Sequence, residues 1–261
     1  MTTAIAKKEE TQLATVEQNG AQEILKSDVI IPKLLLMQGL SDLVSQRKAQ
    51  QGDIVRSTTG EVVGGPDKPL SFIPITFQNL WMLTEEVNGK FEWRSTEPRT
   101  ARNENEPWEF EKHGSKWRRV KVVDCYALLP QDIEAEAKEI AKFQETGEMP
   151  DLNKTLLPVV ISFRSTSYNA GRAVVTHFTK AAGMAKYGAK PYGFTLDLSC
   201  HQDKNDKGSY YVFTVNQGKA VAKDVVAKAE EWYHILSTQK VQVDNSDDVA
   251  DTSAVGESDK F

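Results

Sequence analysis

The chain has 261 residues, of which 39% are hydrophobic, and 32 Lys and Arg stand against 37 Asp and Glu, for a net charge of −5. This length allows one large domain or two small ones, with enough apolar residues for a core. Two cysteines exclude a disulfide scaffold and leave open a single Cys125–Cys200 bridge. Because no apolar run reaches 18 residues, no membrane span is expected, and the chain is predicted to be cytoplasmic.

The negative charge is concentrated at one end of the chain. Residues 241–261 carry six acids and one lysine, so residues 1–240 are balanced, with 31 bases and 31 acids. The acidic pI therefore describes the C-terminal tail and does not exclude a nucleic-acid partner for the body.

The first fifty residues combine a polar leader with two short elements. Residues 1–20 are predicted to be disordered, and residues 21–28 could form a short helix. Pro32 interrupts an apolar run and indicates an extended or helix-initiating piece. Residues 40–50 are predicted to be helical.

Beyond residue 52 the pattern changes to the period of two that is typical of strands. Asn88-Gly89 is the dipeptide favoured by tight hairpin turns. Strands are predicted over 53–57, 62–63, 70–84 (bent at Pro74), 90–95 and 116–129, the last preceded by 108–111 across a His113-Gly114 turn. Residues 96–107 are predicted to be a polar loop.

The remaining elements mix helices and strands. Helices are predicted over 132–145, 168–186 and 219–237, and strands over 156–165, 192–202 and 208–216. No strand–helix–strand series appears, so a doubly wound sheet is not expected. We predict a mainly β (α+β) fold, an OB-like, partly open antiparallel barrel with helical additions. It would form one domain over 21–240, followed by a disordered acidic tail over 241–261.

Motifs for enzymatic chemistry are missing from the sequence. It contains no phosphate-binding GxxxxGK[ST], no HExxH, no CxxC and no GxSxG. Cys200 and His201 are adjacent, so on a strand they point to opposite faces. We therefore expect no enzyme, no metal and no cofactor.

One interval of the sequence is free of acids. Residues 152–196 contain no Asp or Glu, although about six would be expected at the overall acidic frequency of 37 in 261. A polyanion would favour such a path, because bases neutralise phosphates and aromatic rings stack on unpaired bases. The alternative is that the rings are core and the bases decorate a helix, which we prefer for Phe163 and Phe178. The candidate residues are Lys154, Arg164, Tyr168, Arg172, Lys180, Lys186, Tyr187, Lys190 and Tyr192.

A second basic segment, residues 112–123, also lacks acids. Strand alternation places Trp117, Arg119 and Lys121 on one face and Lys116 and Arg118 on the other. A Trp beside cations on one face is a stacking platform for single-stranded nucleic acid, and the alternative is a charged strand whose Trp is buried. Lys112 and, on the earlier hairpin, Trp93 complete the set of candidates.

Hydrogen-bonding side chains cluster at the expected strand-to-helix junction over residues 162–172. Arg164, Tyr168 and Arg172 lie where backbone N–H groups attract anions, so a phosphate site is predicted there. The alternative is simple N-capping by Ser165 or Ser167.

The acidic tail stops at a terminal aromatic residue, Phe261. This arrangement resembles single-stranded-DNA-binding proteins of bacteria and tailed bacteriophages, in which an acidic tail ending in Phe docks into replication and repair enzymes. The resemblance covers about 20 residues, and Lys260 departs from it. The matching positions include Asp247, Asp248, Asp251, Asp259 and Phe261.

Together these patterns predict a sequence-independent single-stranded-DNA-binding protein of phage replication and recombination. The resemblance implies that the tail docks partner proteins of those pathways. Self-association is a further possibility. The alternatives are a strand-annealing or recombination mediator, a protein that binds host replication or transcription machinery, and an undetected nuclease.

Overall fold

A computed structural model describes residues 30–151, 154, 156–206, 208–238 and 242–243. The predicted leader over 1–20, the helix over 21–28 and almost all of the predicted tail lie outside the described residues. The strands are β1 (Ile30–Ile31), β2 (Lys33–Leu36), β3 (Ile54–Arg56), β4 (Val62–Gly64), β5 (Leu70–Val87), β6 (Lys90–Pro98), β7 (Glu109–Lys112), β8 (Ser115–Leu128), β9 (Val159–Arg164), β10 (Phe194–Asn205), β11 (Gly208–Ala220) and β12 (Gln242–Val243). The helices are α1 (Asp42–Ser45), α2 (Pro130–Thr146), α3 (Tyr168–Gly183) and α4 (Lys223–Thr238).

Ten of these strands form one sheet in the order β11-β10-β5-β8-β9-β2-β3-β4, with β6 added to β5 and β7 added to β8. The ladders are antiparallel except for β2 with β9, so the sheet is mixed. The pair β1 and β12 is a separate parallel ladder. It includes Gln242–Val243, so the first residues of the predicted tail belong to a strand.

The two longest strands, β5 and β8, each belong to two parts of the sheet. The first half of β5 lies between β10 and β8, and its second half lies between β6 and β8. The predicted bend at Pro74 is confirmed as a register shift between Pro74 and Thr76. Both predicted hairpin turns are also confirmed, since Asn88 (φ 53°) and His113 (φ 53°) precede glycines of positive φ, as type I′ turns require.

The mainly β class is confirmed, but the barrel is not. No backbone ladder joins β4 to β11 among the described strands, so the sheet is open. A side chain bridges part of the gap: the Gln38 amide donates to the Tyr211 carbonyl at 3.0 Å and accepts from the Tyr211 N–H at 2.9 Å. The predicted partly open antiparallel barrel is therefore an open sheet that is mixed because of the parallel β2–β9 ladder, and the structure does not establish an OB fold.

Helices cover both faces of the central sheet. On one face Val123, Ile161 and Phe163 pack under α3, and on the other Ile73 and Leu128 pack with residues of α2 and α4. The predicted burial of two aromatic residues is confirmed. Phe163 of β9 is fully buried, and Phe178 of α3 is partly buried against the same core.

Close approach of α3 to the sheet depends on Gly171. A Cβ at this position would lie 2.8 Å from Cβ of Phe163 and 2.9 Å from Cβ of Val123. Real Cβ atoms do not approach so closely, because packed interiors leave no free space for an added methyl group. Gly171 therefore sets the height of α3 above the sheet.

Both cysteines are buried free thiols, so the disulfide alternative is wrong. Burial and the nearby Asp53 raise the pKa of Cys200 to about 11, and its thiol donates to the Gly52 carbonyl at 3.0 Å. Burial also raises the pKa of Cys125 well above its usual range. Both groups are therefore neutral at physiological pH and poorly nucleophilic.

Several element boundaries differ from the predictions. The helix predicted over 40–50 is a single turn, α1, since Gln46 already leaves helical geometry. The helix predicted over 168–186 ends at Gly183 and is followed by a separate 3-10 turn at Ala185–Tyr187. Residues 219–220 belong to β11 rather than to the last helix.

Candidate nucleic-acid interface

A four-stranded ribbon extends the sheet and carries both candidate tryptophans, Trp93 and Trp117. It consists of β6, β7, residues 80–87 of β5 and residues 115–121 of β8, and we call it the arm. Directly paired residues share a face, so Trp117 lies on the same face as Phe110, and Arg118 lies on the opposite face with Glu109. The predicted division of Trp117, Arg119 and Lys121 from Lys116 and Arg118 is confirmed.

The basic residues of the arm are paired with acids from neighbouring strands and from the loop after β6. Arg118 Nε lies 2.7 Å from Glu109, and Lys121 Nζ lies 3.0 Å from Glu104. The remaining contacts join Arg119 to Glu97 and Glu106, Lys116 to Glu86 at 4.0 Å, and Arg94 to Glu85. Four of the five bases in the acid-free segment 112–123 are therefore paired with carboxylates, and Lys112 contacts the Trp117 ring.

The aromatic faces of the arm are also occupied, and by the protein's own cations. The Arg118 guanidinium lies 3.8 Å from the ring centroid of Phe91, and Lys112 Nζ lies 5.0 Å from that of Trp117. The indole nitrogens of Trp93 and Trp117 are buried, and neither has a hydrogen-bond partner in the described part of the chain. This is closer to the alternative interpretation, a charged strand whose Trp is buried, than to an open stacking platform.

The exposed side of α3 has the opposite character. Its sequence contains no acid, and Arg172, Thr176 and Lys180 follow one another at the four-residue spacing of a helix face. The next 3-10 turn adds Lys186 and Tyr187, whose ring is 75% exposed. We call these five residues the α3 face.

The cations of the α3 face are not neutralised. Within the residues that the structure describes, Arg172, Lys180 and Lys186 form no ion pair. Lys186 Nζ lies 4.9 Å from the ring centroid of Tyr187, so a cation and an accessible ring stand side by side. This combination suits a polyanion with unpaired bases.

Two other bases of the acid-free interval have acidic partners. Lys154 Nζ lies 2.8 Å from Glu139, and Lys190 bonds Glu230. The hydrogen bond from Lys190 holds the pKa of Glu230 below its usual range. These lysines stabilise contacts between elements and offer little net charge to a ligand.

The contacts of Tyr192 and Arg164 also differ from those expected of nucleic-acid-binding residues. Tyr192 is only 6% exposed and donates from its hydroxyl to Glu230, and burial raises its pKa. The prediction that its ring is accessible for stacking is wrong, because it packs in the cluster of Ile73, Ile75 and Ala229. Arg164, at the end of β9, contacts the Met82 sulfur at 3.7 Å.

At the junction before α3, Ser165–Ser167 form a 3-10 turn in which neither serine makes a side-chain cap. The Ser167 hydroxyl instead accepts from the Phe213 N–H at 3.1 Å. The N-capping alternative is therefore wrong.

A small open pocket of about 180 Å³ lies beside this junction. It is lined by Asn79, Arg99, Tyr168, Arg172, Val175 and Thr176. Of its polar residues, Tyr168 and Arg172 were predicted as candidates, whereas Arg99 was assigned to a polar loop and Asn79 to a strand. No pattern in the sequence indicated Arg99, because its loop also contains Glu104 and Glu106.

The described residues contain no group of three or more His, Cys, Asp or Glu able to hold a metal ion. Within the same part of the chain, no helix combines the length and the apolar character needed to cross a membrane.

A model of the Pam3 phage gp34-like protein family matches residues 2–242. The chain belongs to this family. It is therefore a phage-type protein, which agrees with the phage part of the predicted resemblance, and the family description names no activity. No curated protein and no solved structure matches the chain. The tail positions Asp247, Asp248, Asp251, Asp259 and Phe261 lie outside both the match and the described residues.

Proposed function

We propose that this phage protein binds single-stranded DNA without regard to sequence, and that it does so through the α3 face. The observation that carries the proposal is the grouping of three cations, which form no ion pair with any residue that the structure describes, with an exposed tyrosine on α3 and the turn after it, where the sequence has no acid. In this proposal Arg172, Lys180 and Lys186 neutralise phosphates and Tyr187 stacks on a base.

The arm has a secondary role in this proposal. Its paired cations have little counterion release to offer, since each is already balanced by a carboxylate. Opening the Arg118–Glu109 or Lys121–Glu104 pair for DNA would cost the interaction that it replaces. The proposed interface is therefore smaller than the two surfaces that the sequence predicted, and it acts in the replication or recombination of phage DNA.

Titration of a 5′-labelled oligo-dT by fluorescence anisotropy at two salt concentrations tests the proposal. The triple variant Arg172→Gln, Lys180→Gln, Lys186→Gln should lose at least tenfold in affinity. The slope of log K against log salt should fall by about 2, at roughly 0.7 per phosphate contact. Labelled DNA is required because four of the five tryptophans lie between residues 81 and 117, so Trp emission reports on the arm.

The arm supplies a matched control with the same charge change, the triple variant Arg94→Gln, Lys116→Gln, Lys121→Gln, whose cations pair with Glu85, Glu86 and Glu104. We expect this variant to bind within about threefold of the wild type, because the removed charges are engaged within the arm. Equal losses in the two triple variants would overturn the assignment to the α3 face. If the wild-type protein does not bind oligo-dT at low salt, the proposed function itself is overturned.

The acidic tail supports a second part of the proposal, docking of replication or recombination proteins. A tail that competes with DNA for a basic surface should weaken DNA binding, since like charges repel. Deletion of residues 244–261, which removes all six acids and leaves β12 in place, should therefore keep or strengthen affinity for oligo-dT in the same anisotropy assay. A large loss of DNA affinity on deletion would contradict this role of the tail.

A further inference from the structure

We propose that the pocket between α3 and the loop after β6 binds a phosphate monoester. Three groups that can donate hydrogen bonds to an anion line it, the side chains of Arg99, Tyr168 and Arg172. None of the six lining residues is acidic. The pocket is a shallow, open recess beside the α3 face, with which it shares Arg172 and Thr176.

Arg99 is held in place before any ligand arrives. Its guanidinium lies 5.9 Å from the ring centroid of Trp81 and 5.7 Å from that of Tyr168. Nε pairs with Glu104 at 3.0 Å, and Nη1 donates to the Tyr168 hydroxyl at 2.6 Å. A positioned guanidinium loses little conformational entropy on binding an anion, and its planar fork matches phosphate oxygens.

The other donors remain available. Tyr168 accepts from Arg99, and its own hydroxyl hydrogen has no acceptor among the described residues. Arg172, one helical turn further along α3, has no ion-pair partner in the described part of the chain. These groups approach from the helix, while Arg99 approaches from the loop, so an anion between them would be bound from two sides.

The charge around the pocket matches a dianion. Glu104 is shared between Arg99 and Lys121, at 3.0 Å from each. With Arg172, three positive charges and one negative charge leave a formal balance of +2. A phosphate monoester carries roughly −1.5 to −2 at pH 7, whereas an internal phosphodiester carries a single charge.

Asn79 also lines the pocket. Its amide oxygen is buried and has no hydrogen-bond partner within the described residues. Because this oxygen is an acceptor, it adds no donor for a phosphate, and the proposed site rests on Arg99, Tyr168 and Arg172.

The phosphate could come from a small free phosphate compound or from the end of a DNA strand. The second source rests on the proposed function, whereas the first does not. A terminal phosphate can enter a recess with three oxygens, because only one ester bond leads out of it. An internal phosphate would instead require the chain to continue on both sides of the pocket.

An NMR titration with inorganic phosphate tests the pocket without DNA. Amide resonances of residues near 172 should shift with phosphate and not with chloride at equal ionic strength. Arg172→Gln, an exposed substitution that should leave the fold intact, should weaken phosphate binding roughly tenfold or more, the effect of losing one charged hydrogen bond. The control Lys180→Gln removes the same charge two turns away, outside the pocket lining, and should change affinity less than twofold. Absence of phosphate-specific shifts, or equal effects of the two variants, would overturn the proposal.

A second titration separates the two sources. Oligo-dT with a 5′-phosphate should bind several-fold more tightly than the same oligo with a 5′-hydroxyl, and Arg172→Gln should remove most of this difference. Equal binding of both oligos, together with phosphate-specific NMR shifts, supports the pocket and assigns it to small phosphate compounds. If neither oligo binds, the proposed DNA-binding function fails, and the phosphate titration still decides the pocket.

Discussion

Residues 112–123, most of which lie in the arm, and the α3 face look alike in sequence but differ in the fold. Both are basic, lack acids and include an aromatic residue among the bases. In the arm, Arg118, Arg119 and Lys121 each bond a carboxylate from another strand or loop. On the α3 face, Arg172 and Lys180 have no such partner in the described chain. Local charge along a sequence is therefore a poor measure of surface charge.

The difference follows from the geometry of the two elements. A strand is flanked by residues distant in sequence, so Glu97 can meet Arg119 across 22 positions. On an exposed helix face, the nearest neighbours are three or four positions away in the same segment. Because α3 itself contains no acid, its bases find no neutralising neighbour there.

The largest expected effect on stability concerns the packing of α3 against the sheet. Gly171→Ala should lower the free energy of unfolding by about 3 kcal/mol, because the added methyl group overpacks against Phe163 and Val123. Urea denaturation measures the change. The arm offers a matched control, Gly114→Ala, whose methyl group meets no atom within 4 Å but whose positive φ costs about 1 kcal/mol. Equal losses of unfolding free energy in the two variants would contradict the close packing of α3 against the sheet.

A smaller effect should follow from breaking the best-connected cation of the arm. Arg119→Gln leaves Glu97 and Glu106 without their partner and removes the cation 4.2 Å from the ring centroid of Phe110. With an Arg119 side chain only 12% exposed, the loss should be about 1–2 kcal/mol in urea unfolding. The same measurement on Arg172→Gln should stay within about 0.5 kcal/mol. If Arg119→Gln leaves the free energy of unfolding unchanged, the ion pairs of Arg119 contribute nothing to stability.

The exposed rings of the two regions should differ in DNA binding. Tyr187→Ala should weaken oligo-dT binding about tenfold, within the range expected for one lost base stack. Trp108 lies beside the arm, directly before β7, and its ring is 38% exposed with its centroid 5.3 Å from the Arg118 guanidinium. The affinity of Trp108→Ala for oligo-dT should stay within about twofold of that of the wild type. Anisotropy titration of both variants checks this, and the reverse order would move the interface to the arm.

The smallest effect expected is a difference in acid sensitivity. A hydrogen bond from Arg94 lowers the pKa of Glu85 in the arm below its ordinary value near 4.5. A lowered folded-state pKa stabilises the protein above the unfolded pKa, and this stabilisation is lost as the pH falls through the folded pKa. Glu85→Gln should therefore narrow the difference in urea midpoint between pH 6 and pH 3. Lys180→Gln should leave that difference unchanged, because the α3 face has no carboxylate to protonate.

Much of the secondary structure could be predicted from local patterns. Asn88-Gly89 and the bend at Pro74 were recognisable because turn and bulge geometry depend on one or two residues. The helix over 40–50 was overestimated, because the apolar positions that indicated it, Leu40, Leu43 and Val44, span little more than one turn, and the chain leaves helical geometry at Gln46. The barrel was wrong because the β2–β9 ladder joins segments more than 120 residues apart, and no local pattern encodes such pairing.

By itself, the sequence determined the hairpins, the apolar face of α3, the absence of acids on that helix and the concentration of charge in the tail. Each of these depends on residues that are neighbours along the chain. Only the tertiary structure decided that the bases of the arm are neutralised, that Tyr192 is buried, and that Arg99 joins Tyr168 and Arg172 in one pocket. These outcomes depend on contacts between distant segments, such as the 69 positions that separate Arg99 from Tyr168.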